Sequence, residues 1–551
     1  MNDDRFAELR ARLDARGIDS KTVLEHGAEP IAERVQGDVA PWLDALERYA
    51  IAMAARPGGS LWSATRFVIA PLVDASGGDA DMFARMLDHA ASILVRSADS
   101  RLEQHAIRTG AAALDQRPAA MLAVLEGTRA LAAIEPGWFI QLVVPALAAV
   151  TTDDLVAWPK LVQFALDVHA GGMHVGYPLA TGIAALIARG DLDALPRWLD
   201  VLAPLARAAK DRAYPLFEHA IPGLAQGSLE SHEITVALEL GLAMFDYGLY
   251  PGPTLAVLTS PLQLDVASRL AKAGVDPAII VDNGVRLFER CGWLDDGGDR
   301  LVALAIEMHR RGLRRLLFED GLDVIESLDR ERGLGIRALE LVEAMVAHDL
   351  EPGVLMRWSL PRTLAFVRPA WSAAELLWLA EQLVTAGIEP EPAVGYAARP
   401  MIELAADADE FRRLAATLIE LVVRLDALGV DHRSVLFHDV AALADSGGES
   451  RSFVDLLGAV SALLAAWTAA QLDPTELLQT ALPAAARECV GKPWLLATAL
   501  QTATRLATDR RGDDAIALLA IGVHTAAQLG ATTADELATA LAALEQRYAA
   551  L

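Results

Sequence analysis

Apolar residues recur at three- and four-residue steps along most of the chain, which is the spacing of one buried face on an α-helix. The pattern is clearest over residues 373–385, 411–428, 453–469 and 494–507, where Leu, Ile, Val and Ala dominate. Alternating runs of β-branched and aromatic residues, which would indicate strands, are hard to find. The pattern therefore predicts an all-α fold with no significant β-sheet.

A four-residue junction recurs between these amphipathic segments. It reads Gly274-Val275-Asp276-Pro277, Asp349-Leu350-Glu351-Pro352, Gly387-Ile388-Glu389-Pro390 and Gln471-Leu472-Asp473-Pro474. Gly accepts the left-handed conformation that closes a helix, and the apolar residue packs back onto the last turn. The acid can cap the next helix, and Pro is well tolerated in a first helical turn. The junction thus predicts the end of one helix and the start of the next.

The spacing of the junctions predicts a repeat. Pro352 and Pro390 are 38 residues apart, and His432 and Pro474 follow at steps of 42, whereas the interval from Pro251 to Pro277 is only 26. Two helices in about 38–42 residues are typical of an α-solenoid of antiparallel helical hairpins. The first helix of a hairpin is expected to contain a proline that bends or ends it. The prolines so assigned are Pro222, Pro261, Pro361, Pro400 and Pro483.

The junctions also suggest a division of the chain. Residues 131–490 are predicted to form the helical-repeat solenoid, and residues 491–551 its C-terminal capping helices. Residues 1–130 are helical but lack the junction, so they are expected to form an N-terminal region that can be the start of the same array. Over roughly residues 130–490 the chain resembles the HEAT class in form, and its junctions are similar to those between pentatricopeptide repeats. This resemblance carries no functional residue with it.

Composition narrows the classes of function. Net charge is −26 over 551 residues, and the 17 acids and 13 bases of residues 1–110 show that the excess is not concentrated in a tail. Such a surface disfavours nucleic acid and anionic membranes, which bind to basic patches. The N-terminus lacks the apolar core of a signal peptide, and the longest apolar stretches, 138–150 and 456–470, are too short for a membrane span. A cytoplasmic location is therefore expected.

Few residues suggest chemistry. Cys291 and Cys489 lie far apart in the sequence, so neither a disulfide framework nor a zinc site is expected. The acids Asp295, Asp296 and Asp299, in the order Asp-Asp-Gly-Gly-Asp, resemble the magnesium–diphosphate motif of class I terpene synthases. The paired glycines instead favour a solvated turn between helices, and no second metal motif containing Asn is present. We therefore predict no catalytic residue, no metal site and no cofactor, with these acids as the weak metal candidates.

One basic cluster stands out against the acidic background. Arg310, Arg311, Arg314 and Arg315 are the candidates for an anion or partner contact. Arginines at the end of one helix and the start of the next can instead complement a helix dipole and pair with acids of neighbouring repeats. The second interpretation is favoured.

Three functions follow in order of preference. The first is a non-catalytic scaffold or adaptor that binds another protein along an acidic solenoid surface, which favours a basic partner, with self-association as a further option. The second is an α-helical-barrel enzyme with a metal-dependent pocket near Asp295–Asp299. The third, a helical-repeat nucleic-acid binder, is disfavoured by the net charge.

Overall fold

The computed structural model describes residues 2–56, 60–97, 100–134, 136–151 and 155–528, together with residues 530, 536 and 539. The chain is 80% helical, and the described residues contain no strand. The predicted all-α class is confirmed. The backbone divides into two compact units, Met1–Asp282 and Asn283–Leu551. The sequence-based boundaries at residues 130 and 490 stay predictions.

The first unit is a succession of helical hairpins, each with a first and a second helix. The helix Asn2–Asp14 precedes them. The first helices are 20–34, Leu61–Ala75, Ser100–Ala113, Gly137–Val150, Tyr177–Ile187, 213–226 and Gly252–Val257. The second helices are Ala40–Ala54, Ala80–Arg96, Pro118–Leu131, Trp158–Ala170, Leu195–Ala209, Ser231–Asp246 and Pro261–Lys272. Pro261 thus begins a second helix, and its assignment to the interior of a first helix was wrong: Ser260 and Gln263 form a capping box around it.

The second unit continues the same alternation. Its first helices are Arg286–Cys291, 317–332, 352–366, 393–404, 432–447, 477–488 and 512–528. Its second helices are Leu294–Arg310, Gly335–Ala347, Ser372–Thr385, Ala408–Ala427, Ser450–Ala469 and Pro493–Thr508. Of the expected C-terminal cap, residues 529, 531–535, 537, 538 and 540–551 lie outside the described residues.

Packing follows chain order within each unit. In the first unit, Leu61–Ala75 contacts Ser100–Ala113, which contacts Gly137–Val150, while the second helix Ala40–Ala54 contacts Ala80–Arg96. In the second unit, Ala408–Ala427 contacts Ser450–Ala469, which contacts Pro493–Thr508. First helices therefore pack on first helices and second helices on second helices. This packing fits the solenoid that the junction spacing predicts.

The junctions have the geometry expected from their residues. Gly274 has φ +74° and Gly387 φ +73°, and in both cases the N–H of the following apolar residue bonds five residues back, from Val275 to Leu270 and from Ile388 to Leu383. Where Gly is absent, Asp349 and Gln471 adopt φ +60° themselves. These are helix ends of the Schellman type, in which the left-handed residue lets late carbonyls find donors.

The acids of the junctions cap the helices that follow. Glu351 accepts the backbone N–H of Gly353 at 2.9 Å, Asp431 that of Arg433 at 3.0 Å and Asp473 that of Thr475 at 2.9 Å. Hydrogen bonds from the side chain and backbone of Thr475 hold the pKa of Asp473 below its ordinary value. Part of the acidic excess of the chain therefore serves helix capping.

A turn of π-helix interrupts most first helices of the second unit. These turns are Leu317–Gly321, Leu355–Ser359, Ala393–Ala397, Val435–Asp439, Leu477–Ala481 and Leu518–Gly522, and each contacts the next. Pro361 and Pro483 follow their π turns by two residues, where a wider turn relieves the clash of a proline ring. Leu317–Gly321 and Val435–Asp439 have no such proline, so what the π turns share is contact with one another.

Arginines connect successive second helices of the second unit. Arg300 binds both carboxylate oxygens of Glu343 at 2.5 and 2.8 Å, and Arg337 binds those of Glu381 at 2.6 and 2.7 Å. Arg412 binds Glu375 at 2.7 and 2.8 Å. These planar two-point contacts fix one repeat against the next, and a lysine could not reproduce them.

Candidate partner-binding face

The acidic motif lies in a helix and not in the expected turn. The helix Leu294–Arg310 begins before Asp295 and includes Gly297 and Gly298, so the turn predicted for this motif was wrong. Acids in a first helical turn are favoured by the helix dipole, which compensates in part for the paired glycines. Asp299 is exposed on this helix, and the side chains of Asp295 and Asp296 lie outside the described residues. Across the described chain, no group of three or more His, Cys, Asp or Glu side chains is arranged to hold a metal.

The basic cluster forms ion pairs. Arg311 binds Glu307 and Asp349, each at 2.5 Å, and Arg310 binds Glu307 at 2.7 Å. Hydrogen bonds from Arg311 and then Arg310 hold the pKa of Glu307 below its ordinary value.

The rest of the cluster lies in the turn that leads to the next helix. The backbone N–H of Arg314 donates to Glu351 of the next hairpin at 2.7 Å, and Arg315 lies half-buried before residue 317. Contacts with neighbouring repeats are the role that was favoured for this cluster.

Cys489 is buried and Cys291 is partly exposed, and both are free thiols. Burial raises the pKa of Cys489 to about 12. Burial, followed by the carboxylate of Asp329, raises the pKa of Cys291 to about 11. Neither thiol is therefore poised as a thiolate nucleophile at neutral pH.

The helix Ser450–Ala469 is long and apolar enough, by length and composition, to cross a membrane. Its apolar residues, however, pack against the second helices on either side, and Phe453, Leu457 and Val460 have no exposed surface. One face of this helix is therefore packed within the unit, and 39% of its apolar window is buried.

Exposed aromatic side chains concentrate on the first helices. Eight aromatic residues of the described chain are exposed, and Tyr247, just after a second helix, is the one that does not lie on a first helix. The other seven are Trp62, Tyr177, Tyr214, Trp358, Phe366, Tyr396 and Phe437. Exposed aromatic residues at this density on one side of the hairpins are typical of interaction surfaces.

In the first unit, rings and arginines form a continuous group across three first helices, which we call the N-terminal array. Its members are His26, Trp62, Arg66, Phe67, His105 and Arg108. The Arg66 guanidinium lies 4.9 Å from the Trp62 ring centre and 5.8 Å from that of Phe67. Phe67 in turn stacks on His105 of the next first helix at 5.6 Å. The rings therefore bridge neighbouring repeats.

The second unit has a comparable group, which we call the C-terminal array. Its members are Arg362, Phe366, Tyr396, Arg399 and Phe437, and Trp358 of the same first helix as Phe366 lies 5.2 Å from the guanidinium of Arg357. Tyr396 and Phe437 pack edge to face at 4.3 Å, and Arg362 lies over Tyr396 at 5.6 Å. Arg399 lies over Phe366 at 5.0 Å. Trp358 and Phe366 are 51% and 58% exposed, which is unusual for rings of this size.

A cleft lies within the C-terminal array. It has a volume of about 360 Å³ and is lined by first-helix residues of three consecutive hairpins, including Phe366, Tyr396 and Asp445. Gly395 permits the close approach of the first helices 352–366 and 393–404, because a Cβ at Gly395 would lie 3.1 Å from the Ser359 hydroxyl. Volume, exposed rings and a charged rim together make a surface that can receive a side chain of a partner.

The arrays were missed in the sequence because their members are far apart along the chain. A signal was nevertheless present: rings recur about one repeat apart. Trp138 and Tyr177, whose rings are 5.3 Å apart, are separated by 39 positions, and Tyr396 and Phe437 by 41.

Comparison with known proteins gives no matching family model and no matching curated sequence.

Proposed function

We propose that this chain is a non-catalytic, cytoplasmic scaffold, an α-solenoid that binds another protein along the face formed by its first helices. The observation that supports the proposal is the placement of seven of the eight exposed aromatic residues in the described chain on first helices. Aromatic and arginine side chains contribute more binding energy than other types at protein interfaces.

The charge of the chain affects partner binding in two ways, at long range and at contact distance. Net charge of −26 favours association with a basic protein at long range, because opposite fields raise encounter rates. At contact distance the arrays present arginines over rings, so the binding surface itself is not uniformly acidic. Salt dependence of binding therefore reports on long-range steering, whereas substitutions in the arrays report on the contact.

The experiment is comparative co-purification of the full chain from its native host, with captured proteins identified by mass spectrometry. The test variant carries Trp358→Ala, Phe366→Ala and Phe437→Ala. The control carries Val236→Ala, Tyr247→Ala and Ile336→Ala, which remove exposed apolar groups from second helices or their ends. Equal melting temperatures establish that both variants are folded.

We expect wild type and control to retain the same identified protein and the test variant to lose at least nine-tenths of it. A tenfold loss of affinity corresponds to about 1.4 kcal/mol of binding free energy, which is within what interface anchor residues contribute. Equal loss from both variants, or no protein retained by wild type, contradicts the proposal. Loss of the complex at high salt would additionally support a basic partner.

A further inference from the structure

We propose that the N-terminal array binds an acidic, Asp- and Glu-rich segment of the protein partner. This inference rests on the proposed scaffold function and names the chemistry of what one part of the face receives. The array offers two guanidinium groups, Arg66 and Arg108, held over aromatic rings on neighbouring first helices.

Arg66 and Arg108 converge on one ring, that of Phe67, and belong to the arginines of the first unit that have no ion pair. Within the described residues, neither has a carboxylate within ion-pair distance, although both are exposed. By contrast, Arg12 binds Asp44 at 3.1 Å and Glu47 at 3.0 Å, and Arg34 binds Asp74 at 3.0 Å. The two guanidinium groups of the array are therefore left with their charge uncompensated in an acidic protein.

The rings position these guanidinium groups without consuming their hydrogen bonds. Trp62 and Phe67 lie within cation–π distance of the Arg66 guanidinium, and among the described residues its N–H donors form no hydrogen bond or ion pair. A carboxylate can accept two parallel N–H donors from each such fork. Because the stacked side chain is already restrained, less conformational entropy is lost when the carboxylate binds.

The spacing of the array suits an extended segment. Both arginines share the Phe67 ring, whose centre is 5.8 Å from the Arg66 guanidinium and 5.9 Å from that of Arg108. Two acids separated by a short apolar or neutral stretch can therefore meet both guanidinium groups while the stretch lies on Phe67 and Trp62. The array is therefore complementary to an acidic peptide in charge.

A nucleic acid would satisfy the same guanidinium groups but is disfavoured by the rest of the chain. Phosphate backbones gain affinity from many positive contacts along their length. This array has two arginines in a protein of net charge −26, so a long polyanion would meet repulsion beyond the array. A short acidic segment needs only local complementarity.

The test uses the full chain and a fluorescein-labelled octaglutamate peptide, with binding measured by fluorescence anisotropy at several salt concentrations. The array variant is Arg66→Ala with Arg108→Ala. The matched control is Arg85→Ala with Arg197→Ala, which removes two exposed arginines from second helices of the same unit. A third variant, Arg66→Lys with Arg108→Lys, keeps the charge but not the planar fork.

We expect saturable binding to wild type and to the control, and at least tenfold weaker binding to the array variant. The lysine variant should fall between them, and added salt should weaken binding throughout. Absence of binding to wild type, equal weakening in the control, or tighter binding of an octalysine peptide overturns the inference. So does array-dependent binding of a labelled single-stranded oligonucleotide that exceeds binding of octaglutamate.

The two proposals fail separately. If octaglutamate does not bind but co-purification still depends on the C-terminal array, the scaffold function stands and the acidic segment is wrong. If octaglutamate binds at the N-terminal array and no partner is retained by wild type, the affinity of the array for acidic segments stands and the scaffold function is contradicted.

Discussion

At the scale of single residues, Asp439 departs from the pattern of its neighbours. It closes a π turn at a position that is Ala481 in the next hairpin and Ala397 in the previous one. Its side chain is fully buried, and neither carboxylate oxygen has a hydrogen-bond partner. Burial alone raises the pKa of Asp439 well above its ordinary value, because the charged form loses its hydration.

Replacing Asp439 with Ala should stabilise the chain by about 1–3 kcal/mol near pH 7, because an unpartnered buried polar group is removed. The folded-state pKa exceeds the unfolded value, so the stability linked to the protonated carboxyl is present below the unfolded pKa and is lost as pH rises through the folded one. The gain should therefore be larger at pH 7 than at pH 4. Thermal unfolding at the two pH values measures it.

Asp445→Ala is the matched control, since Asp445 lies exposed on the same helix. It should leave the melting temperature nearly unchanged at both pH values. A lower melting temperature for Asp439→Ala than for wild type would show that the carboxyl has a stabilising partner, contrary to this interpretation.

At the scale of helices, close approach between hairpins depends on particular glycines. Gly182 lies in the first helix Tyr177–Ile187, and a Cβ there would lie 2.7 Å from the backbone oxygen of Phe217 in the next first helix. Gly458 lies in the second helix Ser450–Ala469, and a Cβ added to it would meet no neighbouring atom within 4 Å. The two glycines therefore have opposite consequences for the same substitution.

Gly182→Ala should destabilise the chain by about 1–3 kcal/mol, because the helices must separate around a rigid backbone atom. Gly458→Ala should stabilise it by about 0.5–1 kcal/mol through helix propensity alone. Chemical unfolding followed by circular dichroism compares the two. Destabilisation of similar size in both variants would mean that the contact at Gly182 is not what limits the substitution.

The helices also show what a sequence can and cannot predict. The junctions were predictable because Gly387, Ile388 and Glu389 each act on backbone groups within a few residues. The π turns were not, because what they share is contact with one another and not a local residue pattern. The helical course of residues 295–299 was not predicted either, because the paired glycines were given more weight than the first-turn acids that the helix dipole favours. Pro261 was misassigned because a proline inside a helix and one that begins a helix look alike without the capping contact of Ser260.

At the scale of the whole molecule, the repeated hairpin gives each unit one side made of first helices and another made of second helices. Second helices of the second unit form ion pairs with one another, in which Arg300, Arg337 and Arg412 each bind a glutamate. First helices carry the exposed rings and guanidinium groups of the two arrays. The difference between the two sides is what the proposed function depends on.

Site-specific photo-crosslinking in the native host tests this difference most directly. A photoreactive amino acid replaces Trp62 or Tyr396 on first helices, and Val236 or Val423 on second helices, all four being exposed positions. We expect both first-helix positions, but neither second-helix position, to form a crosslink to the same partner protein. Crosslinks of equal yield from the second helices, or from them alone, would contradict the assignment of the binding face.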